Sequence, residues 1–375
     1  MTHANLSSAS IDALMVRARR EVDEGLLPSA QVAIAKDGKL IAKQTFGQAT
    51  DESLYCVFSA TKAITSGAIW LLLQEGKLRL DERVAEIIPE FAPNGKDAIT
   101  VEQLLTHTGG FPSAPFRPSD WDVREKRLER FSRWRLNWPP GSRFEYHPTS
   151  GMWVLAEIIE RRTGEDFRAF IKRRIAEPLG LNSMYVGMPE TETARAALCV
   201  HVGQPATAED YAALGLAVPE VGEVTEQALL SFNEADVRAV GVPGGGGFMG
   251  AGELALLYQA LLHGGPVDGD VIWHEDTLVS ARRIRTGSML HPTHQVTANR
   301  GLGIIVAGDD GRAKRGFGLE CSSDTFGHNG AGGQIAWVDP VSGLSLGYCT
   351  DGHDRNRLRE QARTASISDA AAACA

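Results

Sequence analysis

The sequence predicts an α+β fold: one antiparallel sheet flanked by helices and built from both ends of the chain, with a mainly helical lobe inserted between them. Three observations lead there. Two strand-like runs, 29–36 (SAQVAIAK) and 39–46 (KLIAKQTF), flank Asp37-Gly38, a strong hairpin signal. Strand-like runs return only near the other end, at 301–307 (GLGIIVA), 333–338 (GQIAWV) and 344–350 (LSLGYCT). Between about 77 and 265 the pattern is mainly helical, with loops punctuated by Pro and Gly.

In chain order, residues 9–25 read as an amphipathic helix ahead of the hairpin. Residues 59–75 (SATKAITSGAIWLLLQE) are apolar at 60, 63, 64, 68, 71 and 72, a helical repeat, and Gly76 stands where that helix ends. The charged stretch 120–135 predicts a solvated helix covering a cleft. Pro148 sits near the start of another helix, apolar at 152, 154, 155, 158 and 159 and stopped at Gly164. Gly244–Gly247 reads as a flexible loop lining the site and entering a helix near Gly252. Asp339-Pro340 and Gly343 supply a turn between the last two strands, and 366–375 (SISDAAAACA) reads as a disordered tail. The expected division is a discontinuous sheet lobe, 1–76 with 285–375, and a helical lobe, 77–284, with a cleft at their junction.

Composition narrows the function. The chain has 375 residues, enough for a large core, and 43% hydrophobic and 23% charged residues, ordinary for a globular protein. A net charge of −9 and a pI near 5.6 argue against a nucleic-acid or anionic-membrane partner. No run of eighteen apolar residues suggests a membrane span. The N-terminus is charged by residue 17 and lacks an apolar core, so a cytoplasmic protein is expected. Cys56, Cys199, Cys321, Cys349 and Cys374 are odd in number and far apart, which fits reduced thiols. His291 and His294 are separated by Pro292 with no acid nearby, a poor metal site, and no metal or cofactor is expected.

The chemistry begins at Ser59-Ala60-Thr61-Lys62. Helix positions i and i+3 share a face, with Cβ atoms about 5–6 Å apart, so a serine hydroxyl and a lysine amine can share a proton. Serine is a poor nucleophile without a base, and a lysine kept dry and neutral can be that base. The first helical turn adds unpaired N–H groups suited to an oxyanion. Two further segments complete the pattern. Tyr146, just before a helix, can project into the cleft, where a cationic neighbour favours proton shuttling. The run Phe326–Gly333 (FGHNGAGG) precedes a strand, and its glycines let backbone approach a ligand closely.

With these three segments in order, the chain resembles the serine hydrolases built like class C β-lactamases and D-alanyl-D-alanine carboxypeptidases, a group that includes the family VIII carboxylesterases. The matching motifs are SATK at 59–62, YHP at 146–148 and HNG at 328–330. Secondary likenesses are TVEQLLTHTGG at 100–110, PPGSRFEY at 139–146 and the glycine-rich stretch 244–265, so the resemblance spans roughly 10–352. It implies a β-lactamase/transpeptidase-like fold. Ser59 then corresponds to the acylated nucleophile, Lys62 to its proton acceptor and Tyr146 to the general base. His328 corresponds to the electropositive residue of the substrate-side strand, and the N–H groups of Ser59 and Ala331 to the oxyanion hole. His147, Asn329, Gly330 and Gly246 are expected to line the substrate.

The departures carry meaning. The tyrosine motif ends in Pro148, which offers no donor where β-lactamases carry asparagine, and His328 of a His-x-Gly form stands where Lys-Thr-Gly members carry lysine. Both weaken recognition of an anionic β-lactam or peptide terminus. An ester or amide small molecule is the expected partner, with room for a homo-oligomer. Trp121, Trp134, Trp138 and Trp153 are the aromatics available for an apolar cleft. The leading expectation is an esterase. Amidase, peptidase, weak β-lactamase and acyltransferase share the site, and a sensor that is acylated without turnover is the reading from another class. His107 reads as a helix-end packing residue.

Overall fold

The computed structural model describes residues 7–216, 218, 224–267 and 269–375. Helix α1 (Ser8–Asp23) is capped by the Ser7 hydroxyl, and strands β1 (Ser29–Lys36) and β2 (Lys39–Gly47) follow as an antiparallel hairpin. Both turn residues have positive φ, 51° at Asp37 and 72° at Gly38, the twist a two-residue hairpin needs. Helix α2 (Thr61–Gln74) is buried from Thr61 through Leu72, so it is a central helix and not a surface one. Helices α3 (Arg124–Arg133) and α4 (Ser150–Thr163) belong to the helical region, and α4 ends at Gly164 with φ 72°. Helix α5 (Ala251–His263) precedes the second half of the sheet. That half comprises β3 (Ile305–Val306), β4 (Phe326–Gly330), β5 (Gln334–Val338) and β6 (Leu344–Thr350), followed by helix α6 (Arg357–Ala372).

The six strands form one antiparallel sheet in the order β2-β1-β6-β5-β4-β3, so the two chain ends meet where β1 pairs with β6. The central strands are buried on both faces. Ala30, Val32 and Ile34 pack with Trp337, Leu346, Leu14 of α1 and Ile367 of α6, whereas Ala33 and Ala35 point into the other core with Ala336 and Leu254 of α5. A two-sided core explains why these strands read as continuous apolar runs without alternation.

Three expectations change. The segment 366–375 is not a disordered tail. Its first part completes α6, where Ile367, Ala371 and Cys374 are buried and the Ser368 hydroxyl accepts from Trp337 Nε1 and Gly318 N–H, both at 2.8 Å. The small side chains that suggested disorder let this helix lie close on the sheet. The expected lobe boundary at 284 is too late, because α5 packs on the sheet itself: a Cβ on Gly347 of β6 would lie 2.2 Å from the Ala251 carbonyl. The strand expected over 301–307 shrinks to two residues, because Gly303 turns at φ 78° and the Gly301 N–H bonds back to the Ile304 carbonyl.

Candidate active site

Ser59 is the second residue of a short 3₁₀ turn, Phe58–Ala60, that runs into α2. Its N–H is thereby among the donors that a helix start leaves without an intrahelical partner. Phe58 holds φ 43°, a left-handed conformation that costs a non-glycine residue about 1–2 kcal/mol. Its ring is gripped edge-on by His353 at 4.9 Å and Phe232 at 5.2 Å, which fixes the strained turn and the direction of Ser59.

One turn along α2, Lys62 is fully buried. Its Nζ is 2.7 Å from the carbonyls of Pro148 and Gly244 and 3.2 Å from Ser59 Oγ. A neutral amine has two N–H bonds and one lone pair. With two of its positions taken by the carbonyls, the amine in its neutral form would have its lone pair left for the serine. Burial pushes the Lys62 amine below its ordinary value, Tyr146 opposes that shift, and the nearby Arg300 charge adds to it. The loop supplying Gly244 is held by α2 itself: Thr61 Oγ1 accepts from Gly247 N–H at 2.8 Å, and Thr65 Oγ1 donates to the Pro243 carbonyl at 2.7 Å.

Tyr146 lies in the segment entering α4, and its hydroxyl donates to Ser59 Oγ at 2.8 Å. Two bonds fix that segment: Ser150 Oγ to the Phe111 carbonyl at 3.0 Å, and Phe111 N–H to His147 Nε2 at 3.1 Å. Lys62 Nζ is 5.0 Å from the Tyr146 ring centroid. Across the cleft, β4 brings Gly330 against the turn, where a Cβ would meet the Val57 carbonyl at 2.2 Å. Ala331, the next residue, begins a tight turn in which Gly332 has φ 80°. The edge of β4 and the turn that carries Ser59 are thus in direct contact, with Ala331 next in the chain after the contact point.

Several expected site residues behave otherwise. His328 is buried at 2% exposure, its Nδ1–H donates to the Asn329 carbonyl, and burial drives it well below the ordinary histidine value. It is neutral, not electropositive. His147 does not line the substrate: it is buried, Nδ1–H donates to the Glu145 carbonyl at 2.6 Å, and burial lowers it to about 4. Gly246 is enclosed in a tight turn, bonded back to the Val242 carbonyl, and Gly244 makes the contact instead. Asn329 is exposed beside Gly316, and Gly330 is half-buried at the strand edge. Trp121, Trp134 and Trp153 are buried in the helical core with Phe116, Phe131 and Phe167; Trp134 and Trp121 back two cavities that contain none of Ser59, Lys62 and Tyr146. Helix α3 borders cavities that do not contain Ser59, and Arg127 ties it to Glu157 and Glu160, two to three turns along α4.

Sequence reasoning missed the Pro148 and Gly244 carbonyls, Phe232 and Arg300, whereas His107 packs at a helix end, as read, against Tyr146 and Phe144. Carbonyls carry no sequence signal. Phe232 packs on Phe58 and lies 3.6 Å from a Cβ on Gly245, an apolar wall beside the site. The His107 ring is 4.8 Å from that of Tyr146, with φ 58° and Nδ1 accepting from His147 N–H. Among the described residues no group of three His, Cys, Asp or Glu side chains is arranged to hold a metal ion.

The family description Beta-lactamase matches residues 15–371, nearly the whole chain. The chain belongs to the Beta-lactamase family. This β-lactamase-family protein is a serine hydrolase with the β-lactamase/transpeptidase-like fold. It is 29% identical over 362 residues to an Escherichia coli K12 protein provisionally named a D-alanyl-D-alanine carboxypeptidase, covering 87% of this chain and 79% of that one. It is 26% identical over 312 residues to the esterase/beta-lactamase LipL of Mycobacterium tuberculosis, covering 79% and 68%. A solved family VIII carboxylesterase superposes with a TM-score of 0.80 at 23% identity, over 99% of both chains.

Proposed function

We propose that this hydrolase cleaves a neutral carboxylic ester through an acyl-enzyme on Ser59. The observation that carries the reading is the contact of Ser59 Oγ with both Tyr146 Oη, at 2.8 Å, and Lys62 Nζ, at 3.2 Å. Ser59 Oγ attacks the carbonyl carbon while its proton passes to the Lys62–Tyr146 pair. The Ser59 and Ala331 N–H groups receive the oxyanion. Collapse expels the alcohol with a proton returned through Tyr146. Water, deprotonated by the same pair, attacks the acyl carbon, and the carboxylic acid leaves as Ser59 Oγ recovers its proton.

The ester preference rests on what the cleft lacks. His328 is neutral, and the Pro148 carbonyl is occupied by Lys62. Neither offers an anionic β-lactam or peptide terminus a charged or donor partner. Phe232 beside Phe58 suits an apolar acyl chain. The LipL relative is named as both esterase and β-lactamase, and a peptidase is the second reading, favoured by the name of the Escherichia coli relative. Rates on p-nitrophenyl butyrate, its anilide and nitrocefin separate these readings. The proposal expects the ester to exceed the other two by more than about 10²-fold in kcat/KM, a margin that partner mismatch supports. Equal or faster turnover of the anilide or nitrocefin overturns it.

A further inference from the structure

We propose that Arg300 is a positioning residue for the Ser59–Lys62–Tyr146 proton network, a fixed, unpaired positive charge set against the Tyr146 ring that biases where the network's proton rests. This inference rests on the ester-hydrolase reading of the site. Arg300 is 6% exposed, and its Nε and Nη1 atoms are buried with no hydrogen-bond partner among the described residues. Its guanidinium carbon lies 5.4 Å from the Tyr146 ring centroid and 5.2 Å from that of Phe144. Two ring contacts recover only part of the cost of drying a full charge, so packing gives a poor account of an arginine here.

Among the described residues the surroundings contain no compensating carboxylate. Facing this corner are Lys62 from α2, His107 after the helix Val101–Leu105, and Tyr146 and His147 ahead of α4. His328 from β4, the His291 and His294 loop, and Arg315 face it as well. The nearby acids are engaged elsewhere: Glu145 with Arg143 at 2.9 Å, Asp309 with Arg315 at 2.5 Å and Glu102 with Arg285 at 2.5 Å. The phenol is thus the one acidic group close to the guanidinium among the described residues. Charges at this range in a dry site interact strongly. The same charge adds to the downward pressure on Lys62, His107, His328, His291 and His294, which keeps the amine a base and the histidines neutral. The backbone holds the residue rigidly: Arg300 N–H donates to Thr286 Oγ1 at 3.1 Å, and Arg300 pairs with Ile305 across the tight Gly301–Gly303 turn.

The test is the pH profile of kcat/KM on p-nitrophenyl butyrate for wild type, Arg300→Met and Arg300→Lys, with Ser59→Ala as control and thermal unfolding measured for each. Arg300→Met is expected to lower kcat about 10²-fold with KM within about twofold, the size of a lost transition-state interaction. Its acid-side limb moves to higher pH, because Lys62 then holds its proton longer, and Arg300→Lys restores the limb. If Arg300→Met does not fold, Arg300→Gln must show the same displacement. An unmoved limb with uniform loss of rate overturns the inference in favour of packing. A raised KM for esters bearing a carboxylate, with kcat unchanged, overturns it in favour of a substrate-anion subsite. Turnover by Ser59→Ala would instead defeat the site assignment beneath it.

Discussion

The hydroxyl of Ser59 is held between an amine and a phenol, and each partner has a separable consequence. Ser59→Ala removes the acceptor of the acyl group and is expected to reduce ester turnover by at least about 10³-fold, read as loss of both burst and steady state. Lys62→Arg keeps donors but carries a permanent charge and can never offer a lone pair. It is expected to lose about 10²–10⁴-fold in kcat, the usual range for a positioned base. Wild-type activity should rise with pH as Lys62 deprotonates, through an apparent pKa below that of an ordinary lysine, because burial disfavours its charged form. A profile whose acid limb lies at or above the ordinary lysine range contradicts that account. At this scale the sequence disclosed three side chains that the structure brings into contact and concealed those packed around them. Ser59, Lys62 and Tyr146 stand in motifs whose spacing has a physical reason. Nothing in residue type separates Arg300 from the chain's other arginines, and the neutrality of His328 follows from burial by distant segments.

The turn before α2, the edge of β4 and helix α6 place those side chains. Gly330→Ala sets a methyl group against the Val57 carbonyl, where 2.2 Å is far inside contact, so β4 must retreat from the turn. The expected outcome is a 10–100-fold fall in kcat/KM with the fold retained, about the effect of weakening one oxyanion donor, checked by kinetics beside circular dichroism. Deleting 366–375 exposes the core around Ile367 and strips Trp337 Nε1 of its Ser368 acceptor. That change is expected to cost at least about 3 kcal/mol, measured as a lower urea midpoint. Elements with strong local signals were legible: the hairpin at Asp37-Gly38, and β6 with its bounds as read. The final helix was not, because small residues look featureless until a sheet lies beneath them. The boundary near 284 was misplaced because a helix apolar enough for either lobe, α5, gives no hint of which surface it covers.

Across the whole molecule, the sheet joins the two chain ends, and the candidate site collects Ser59, Tyr146, Gly244 and Arg300 from separate segments spread over much of the chain. Their convergence depends on long-range packing, which sequence pattern alone conveys only through the motif order. No helix among the described residues is long and apolar enough to cross a membrane. Burial also couples the fold to pH. His147 falls from 6.5 to about 4, and His353 to about 3, both mainly by desolvation. In the window between about 6.5 and 4 the unfolded chain binds protons that the folded chain refuses. Stability is therefore fully present above the unfolded value and declines as pH drops through the window. His147 alone accounts for about 3 kcal/mol at 1.36 kcal/mol per pKa unit. Urea titrations at pH 7 and pH 4.5 should show that loss, and equal midpoints would contradict it.

The central claim is that one serine oxygen receives the acyl group with help from the phenol and the amine beside it. Labelling with a fluorophosphonate followed by peptide mass mapping tests this most directly. The account predicts a single stoichiometric adduct on Ser59, formed at least about 10²-fold more slowly in Tyr146→Phe and Lys62→Arg. An adduct on another residue, or undiminished labelling of Ser59→Ala, would contradict it.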